Sequence, residues 1–67
     1  MTTAQFELLD PSVAEEVLRW RFDELVRAGY TPEQALIVAS HVSVDLHLAT
    51  DLIRRGCPEE TALRILL

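Results

Sequence analysis

Two corners set 27 residues apart constrain this chain more than any other feature of its sequence. LVRAGYTPEQALIVA at 25–39 and LIRRGCPEETALRIL at 52–66 carry the same order of parts. Each has a leucine, a β-branched residue, an arginine, a glycine, a short break, a glutamate and then Ala-Leu. That order is what a helix–turn–helix corner needs. The arginine meets the negative end of the first helix, and the acid meets the positive start of the second. The glycine takes the left-handed conformation that stops the first helix. The pairs are Leu25/Leu52, Arg27/Arg54, Gly29/Gly56, Glu33/Glu60, Ala35/Ala62 and Leu36/Leu63, while the prolines break the match, Pro58 aligning with Thr31 and Pro32 with Glu59. Duplication of a helical hairpin and convergence on shared corner chemistry both account for the likeness. Two units are too few for a solenoid.

The corners organise the rest as an all-α chain: a small bundle of four short helices at about 11–28, 32–41, 44–55 and 58–66. Residues 1–10 read as an N-terminal tail and 11–67 as a single helical domain. Asp10 caps the first predicted helix, and Pro11 suits its first position. Thr31 and Gln34 form a capping box for the second helix. Ser43 is the expected cap of the third, and Pro58 with Glu59 and Glu60 opens the fourth. No segment alternates apolar and polar residues as a strand would.

At about 100° per residue, the first helix sets Ala14, Leu18, Phe22 and Leu25 on a core stripe. Val13, Val17 and Trp20 fall on a second stripe away from it. Either the tail residues Phe6, Leu8 and Leu9 fold back over Trp20, or Trp20 is an interface anchor of the kind enriched at binding hot spots. The run ALIVA at 35–39 has no polar side, which predicts a central second helix. In the third helix Leu46, Leu48, Ala49, Leu52 and Ile53 are expected inward, with His47, Asp51 and Arg54 outward. In the fourth, Ala62, Ile65 and Leu66 are expected inward. The ending RILL must pack down or be held by something else, which adds Leu67 to the candidate interface.

A 67-residue domain in which 49% of residues are hydrophobic has more apolar surface than so small a body can hide. Exposed Ala and Val, or contact with a partner, would take up the excess. A net charge of −5 disfavours nucleic-acid backbones and anionic membrane surfaces. All six basic side chains are arginine and there is no Asn, the composition of a GC-rich bacterial genome. One cysteine, Cys57, cannot form an internal disulfide, and no apolar run nears the roughly 18 residues of a membrane span. The start MTTAQFELLD has no basic region ahead of an apolar one, so a cytoplasmic protein is expected.

Catalytic, cofactor and metal motifs are not found, and none of these functions is expected. His41/Asp45 and His47/Asp51 have helical ligand spacing, yet lack third and fourth ligands. Cys57 precedes a helix start, yet no base accompanies it.

FDELVRAGYTPEQALIVA followed by LHLATDLI resembles the ubiquitin-associated (UBA) domain over roughly residues 18–55. Gly29-Tyr30 match the family's Gly-Phe/Tyr loop, Leu25 its preceding leucine, and Ala35 and Ala39 its second helix. Ala49 and Ile53 suit its third helix. Ala28 stands where the family usually has Met, and a fourth helix is added. The resemblance implies a three-helix core plus a C-terminal helix, with Gly29, Tyr30 and the end of the third helix forming a protein-binding surface. The whole chain also looks like short proteins of high-GC Gram-positive bacteria with the pattern VDLHLA…DL…GC…ALRIL.

The sequence thus predicts a small non-enzymatic protein–protein interaction module or adaptor. Its candidate interface is Val13, Val17, Trp20, Gly29, Tyr30 and Leu67, and its partner is another protein or a second copy as a homodimer. The alternative is a helix-turn-helix-like DNA-binding regulator over TPEQALIVASHVSVDLHLATDLIRRG. Its recognition helix would open on acidic residues, where bases are usually read.

Overall fold

The computed structural model, which describes residues 1–67, carries both glycine corners and the expected caps at Asp10 and Thr31. Five helices follow in order: α1 (Thr3–Glu7), α2 (Pro11–Ala28), α3 (Pro32–Ser40), α4 (Leu46–Arg54) and α5 (Glu59–Leu66). There is no strand. Asp10 accepts a hydrogen bond from the Ser12 backbone N–H at 2.9 Å and starts α2. The Ser12 hydroxyl and backbone together hold the Asp10 carboxyl below its usual pKa. The Thr31–Gln34 capping box forms in both directions and starts α3.

The two glycine corners stop their first helices in the same way, although only α3 then starts on a side-chain cap. Gly29 and Gly56 have φ of 129° and 90°. Beyond each, the next residue's backbone N–H reaches back to the carbonyl five residues earlier, Tyr30 to Leu25 at 3.1 Å and Cys57 to Leu52 at 3.0 Å. This is the helix-ending hydrogen bond that a left-handed glycine permits. The sequence offset therefore maps onto an atomic one.

The turn between α3 and α4 contains no glycine and is held differently. The Arg21 side chain enters it from α2 and is only 5% exposed. Its Nε donates to the Ala39 carbonyl at 3.2 Å. Its Nη2 donates to the carbonyls of His41 at 3.2 Å and Val44 at 3.0 Å, with a longer reach to Val38 at 3.5 Å. The last carbonyls of a helix have no partner inside it. Arg21 supplies them from outside, and a fork of N–H donors suits that task better than a single ammonium. The Ile37 carbonyl is served locally, by the Ser40 hydroxyl at 2.8 Å and His41 Nδ1 at 2.7 Å.

Around this clamp, α2 packs on α3 and α4, and α5 closes against α3 and α4. The core is built on Leu25 and Val38 and on the alanines at 35, 39, 49 and 62. Small side chains at the crossings let the helices approach closely.

Several expectations differ. Residues 1–10 are more than a tail, because Thr2 and Gln5 form a capping box that starts α1. None of α1 is buried. The second helix is not central on all sides, since Leu36 and Ile37 are exposed while Ala35, Val38 and Ala39 are buried. That helix ends at Ser40, and the third begins after Asp45, which replaces Ser43 as its cap. Leu48 points outward. In α5, Leu63 packs against the core and Ile65 faces solvent.

The two corners differ in one testable respect. A Cβ added at Gly29 would lie 3.2 Å from Ile53 Cγ2, whereas one at Gly56 meets nothing within 4 Å. Gly56→Ala should cost about 1–2 kcal/mol, the left-handed penalty alone. Gly29→Ala should cost measurably more in urea denaturation, and equal losses would contradict this packing.

Candidate protein-docking groove

Trp20 precedes the clamping arginine, and its position follows from that. With Arg21 turned into the α3–α4 turn, Trp20 lies about 100° further round α2. It therefore stands over the seam between α2 and α4, where it is 55% exposed. Two grooves meet there. The larger, about 420 Å³, runs between Val17, Trp20 and Arg21 on one side and residues 43–47 on the other, with Met1 at its edge. The smaller, about 170 Å³, lies between Trp20 and Glu24 on α2 and His47, Thr50 and Arg54 on α4. Trp20, Leu46 and His47 border both.

The floor carries charge of both signs. Asp45 caps α4 by accepting from the backbone N–H groups of His47 at 2.9 Å and Leu48 at 3.4 Å. Its carboxylate is 4.0 Å from the His47 ring. Burial pulls the Arg21 guanidinium below its usual pKa, and nearby Asp45 pushes it back up. Arg21 Nη1 makes no hydrogen bond within the chain, and no buried side-chain polar atom is left without a partner. Nη1 is therefore not fully sealed from solvent, and Arg21 lines the larger groove. An apolar ring beside a few oriented polar groups is the chemistry of a docking groove.

The expected interface residues separate in space. Val17 and Trp20 line the groove. Val13 is exposed two turns before Trp20 on the same stripe. Leu67 is exposed at the end of α5, which packs on α3 and α4. Gly29 is exposed at its corner. Tyr30 differs most from expectation. It is 2% exposed, and its hydroxyl donates to the Ala49 carbonyl at 2.8 Å. Its ring ties the α2–α3 corner to α4 and is not presented to a partner. The tail does not bury Trp20 either, and Leu8 is 86% exposed.

The candidate ligand and nucleophile residues are placed as follows. His41 Nδ1 meets the Ile37 carbonyl, and Asp51 pairs with Arg55 at 2.9 Å. No three His, Cys, Asp or Glu side chains gather as metal ligands. The Cys57 thiol contacts the Pro58 carbonyl at 3.6 Å. Sequence reasoning missed Arg21, although a signal was present. Arg21 stands four residues before Leu25 and so shares its helix face, and these two are the buried residues of α2. Comparison with protein-family models, curated proteins and solved structures finds no match to this chain.

The buried Tyr30 hydroxyl gives the fold an alkaline signature. Burial first, then the Cys57 and Glu59 groups, raise its pKa. The folded protein thus keeps the proton to higher pH than the unfolded chain does. The resulting stability is complete below about pH 10 and is lost as pH rises through the folded value. Tyr30→Phe should cost about 1 kcal/mol at pH 7 and should remove this alkaline loss. Parallel pH–stability curves for the two proteins above pH 10 would contradict it.

Proposed function

We propose that this chain is a small non-enzymatic protein-interaction module that docks a segment of a partner protein along the α2–α4 seam. The single observation behind this reading is Trp20, a large aromatic ring left more than half exposed between two grooves. Hydrophobic burial would favour covering it, and the bundle's core cluster is assembled without it. Tryptophan in a partly concave, polar-rimmed setting is the usual centre of a binding hot spot. The net charge of −5 and Asp45 at the head of α4 weigh against a nucleic-acid ligand. We further propose a UBA-like relationship in which α2, α3 and α4 correspond to that family's three helices and α5 is an addition. With Tyr30 turned inward, docking would fall on the seam and not on the Gly29–Tyr30 loop. The free thiol of Cys57 fits a reducing cytoplasmic setting.

The test uses the only tryptophan in the chain as both anchor and reporter. Tagged protein is used to capture partners from its native lysate, with Trp20→Ala alongside. A partner held by the unsubstituted chain should be lost with Trp20→Ala, while the melting temperature stays within a few degrees. The purified partner should then shift Trp20 emission to shorter wavelength. Capture that is indifferent to Trp20, or no change in emission on binding, would contradict the docking site.

A further inference from the structure

On the far side of α2, about 160° round from Trp20 in either direction, Leu18 and Phe22 face Leu36 of α3 across a shallow depression of about 330 Å³. Its floor is apolar throughout, and Glu15 and Arg19 form its rim. Leu36 is 63% exposed at its edge. We propose that this surface is where two copies of the chain pair about a two-fold axis. The proposal lies off the Trp20 seam and does not depend on the function assigned there.

Three observations favour a second copy as the occupant. First, the rim is self-complementary. Glu15 and Arg19 lie one turn apart at 3.6 Å, and each side chain is 74% exposed. When two α2 helices run antiparallel about an axis level with Val17, Glu15 of each copy meets Arg19 of the other. A parallel arrangement would set acid on acid. An exposed pair within one helix contributes little, but the same charges across a closing apolar contact fix its direction. Second, bump and hollow sit side by side. Leu36 projects next to the depression, so each copy offers a knob and a hole, as an isologous contact requires. Third, the lengths suit. A stable pair buries about 800 Å² per partner, roughly a sixth of the 4605 Å² exposed here. The 18 residues of α2 against 9 in α3 leave the N-terminal half of α2 standing past α3, where a second copy can lie alongside.

Sedimentation across a concentration series tests the pairing. The unsubstituted chain should be a reversible dimer with a dissociation constant on the order of micromolar. Leu36→Glu should weaken it about a hundredfold or more, because symmetry removes two buried leucines at once. At concentrations low enough that both proteins are monomeric, their melting curves should coincide, since Leu36 is largely exposed in the folded monomer. Glu15→Arg should also weaken the dimer, and the double exchange Glu15→Arg with Arg19→Glu should restore it, an outcome that loss of folding cannot imitate. Trp20→Ala should leave the dimer intact. A chain that stays monomeric to about 1 mM, a dimer indifferent to Leu36→Glu, or one abolished by Trp20→Ala would overturn the proposal.

Discussion

One guanidinium decides how the middle of this chain is folded. The α3–α4 turn has no glycine and no regular hydrogen-bond ladder, yet the carbonyls of Ala39, His41 and Val44 converge on one point. Three carbonyl dipoles aimed at one place repel each other unless a cation sits between them. Arg21 is that cation, held at the right height by the α2 backbone. A buried ion without a carboxylate partner is normally costly. Here the oxygens replace much of its lost hydration, and Asp45 adds opposite charge nearby.

This arrangement matters because little else is available. Only 12 of the 67 residues are buried, and four of those are alanines in the core. Alanine brings helices close but removes little apolar area from water. The small bundle is therefore held as much by its ends as by its centre: the capping box at Thr31, the glycine corners, the Tyr30 hydroxyl on Ala49 and the Arg21 clamp. The same economy leaves apolar residues outside. Turning Arg21 inward sets its neighbour Trp20 over the α2–α4 seam, and Leu36 is left beside a hollow on the opposite edge.

Local chemistry was the readable part of the sequence. Asp10-Pro11, Thr31-Pro32-Glu33-Gln34 and both glycines mark ends of helices through interactions within a few residues, and α2 begins and ends where they indicate. Thr2 and Gln5 carry the same signal for α1, within the stretch expected to be a tail. What could not be read was set by contacts between helices. The direction taken by Leu36, Ile37, Leu48 and Ile65 depends on which neighbours pack where, and an apolar run such as ALIVA has no polar side to orient it. Arg21, which drew no expectation, and Tyr30, expected at the surface, turn inward for the same reason. Each is polar at one tip, and only the distant carbonyls of Ala39 and Ala49 show why each points inward.

The central assertion concerns one proton on one side chain. In ¹⁵N NMR of the folded protein, the Arg21 Nε–H should appear as a resolved resonance, exchange with solvent far more slowly than the other five arginines, and show a scalar coupling across its hydrogen bond to the Ala39 carbonyl carbon. An Arg21 Nε–H that exchanges as fast as those of the exposed arginines, with no such coupling, would show that the turn is held by something else.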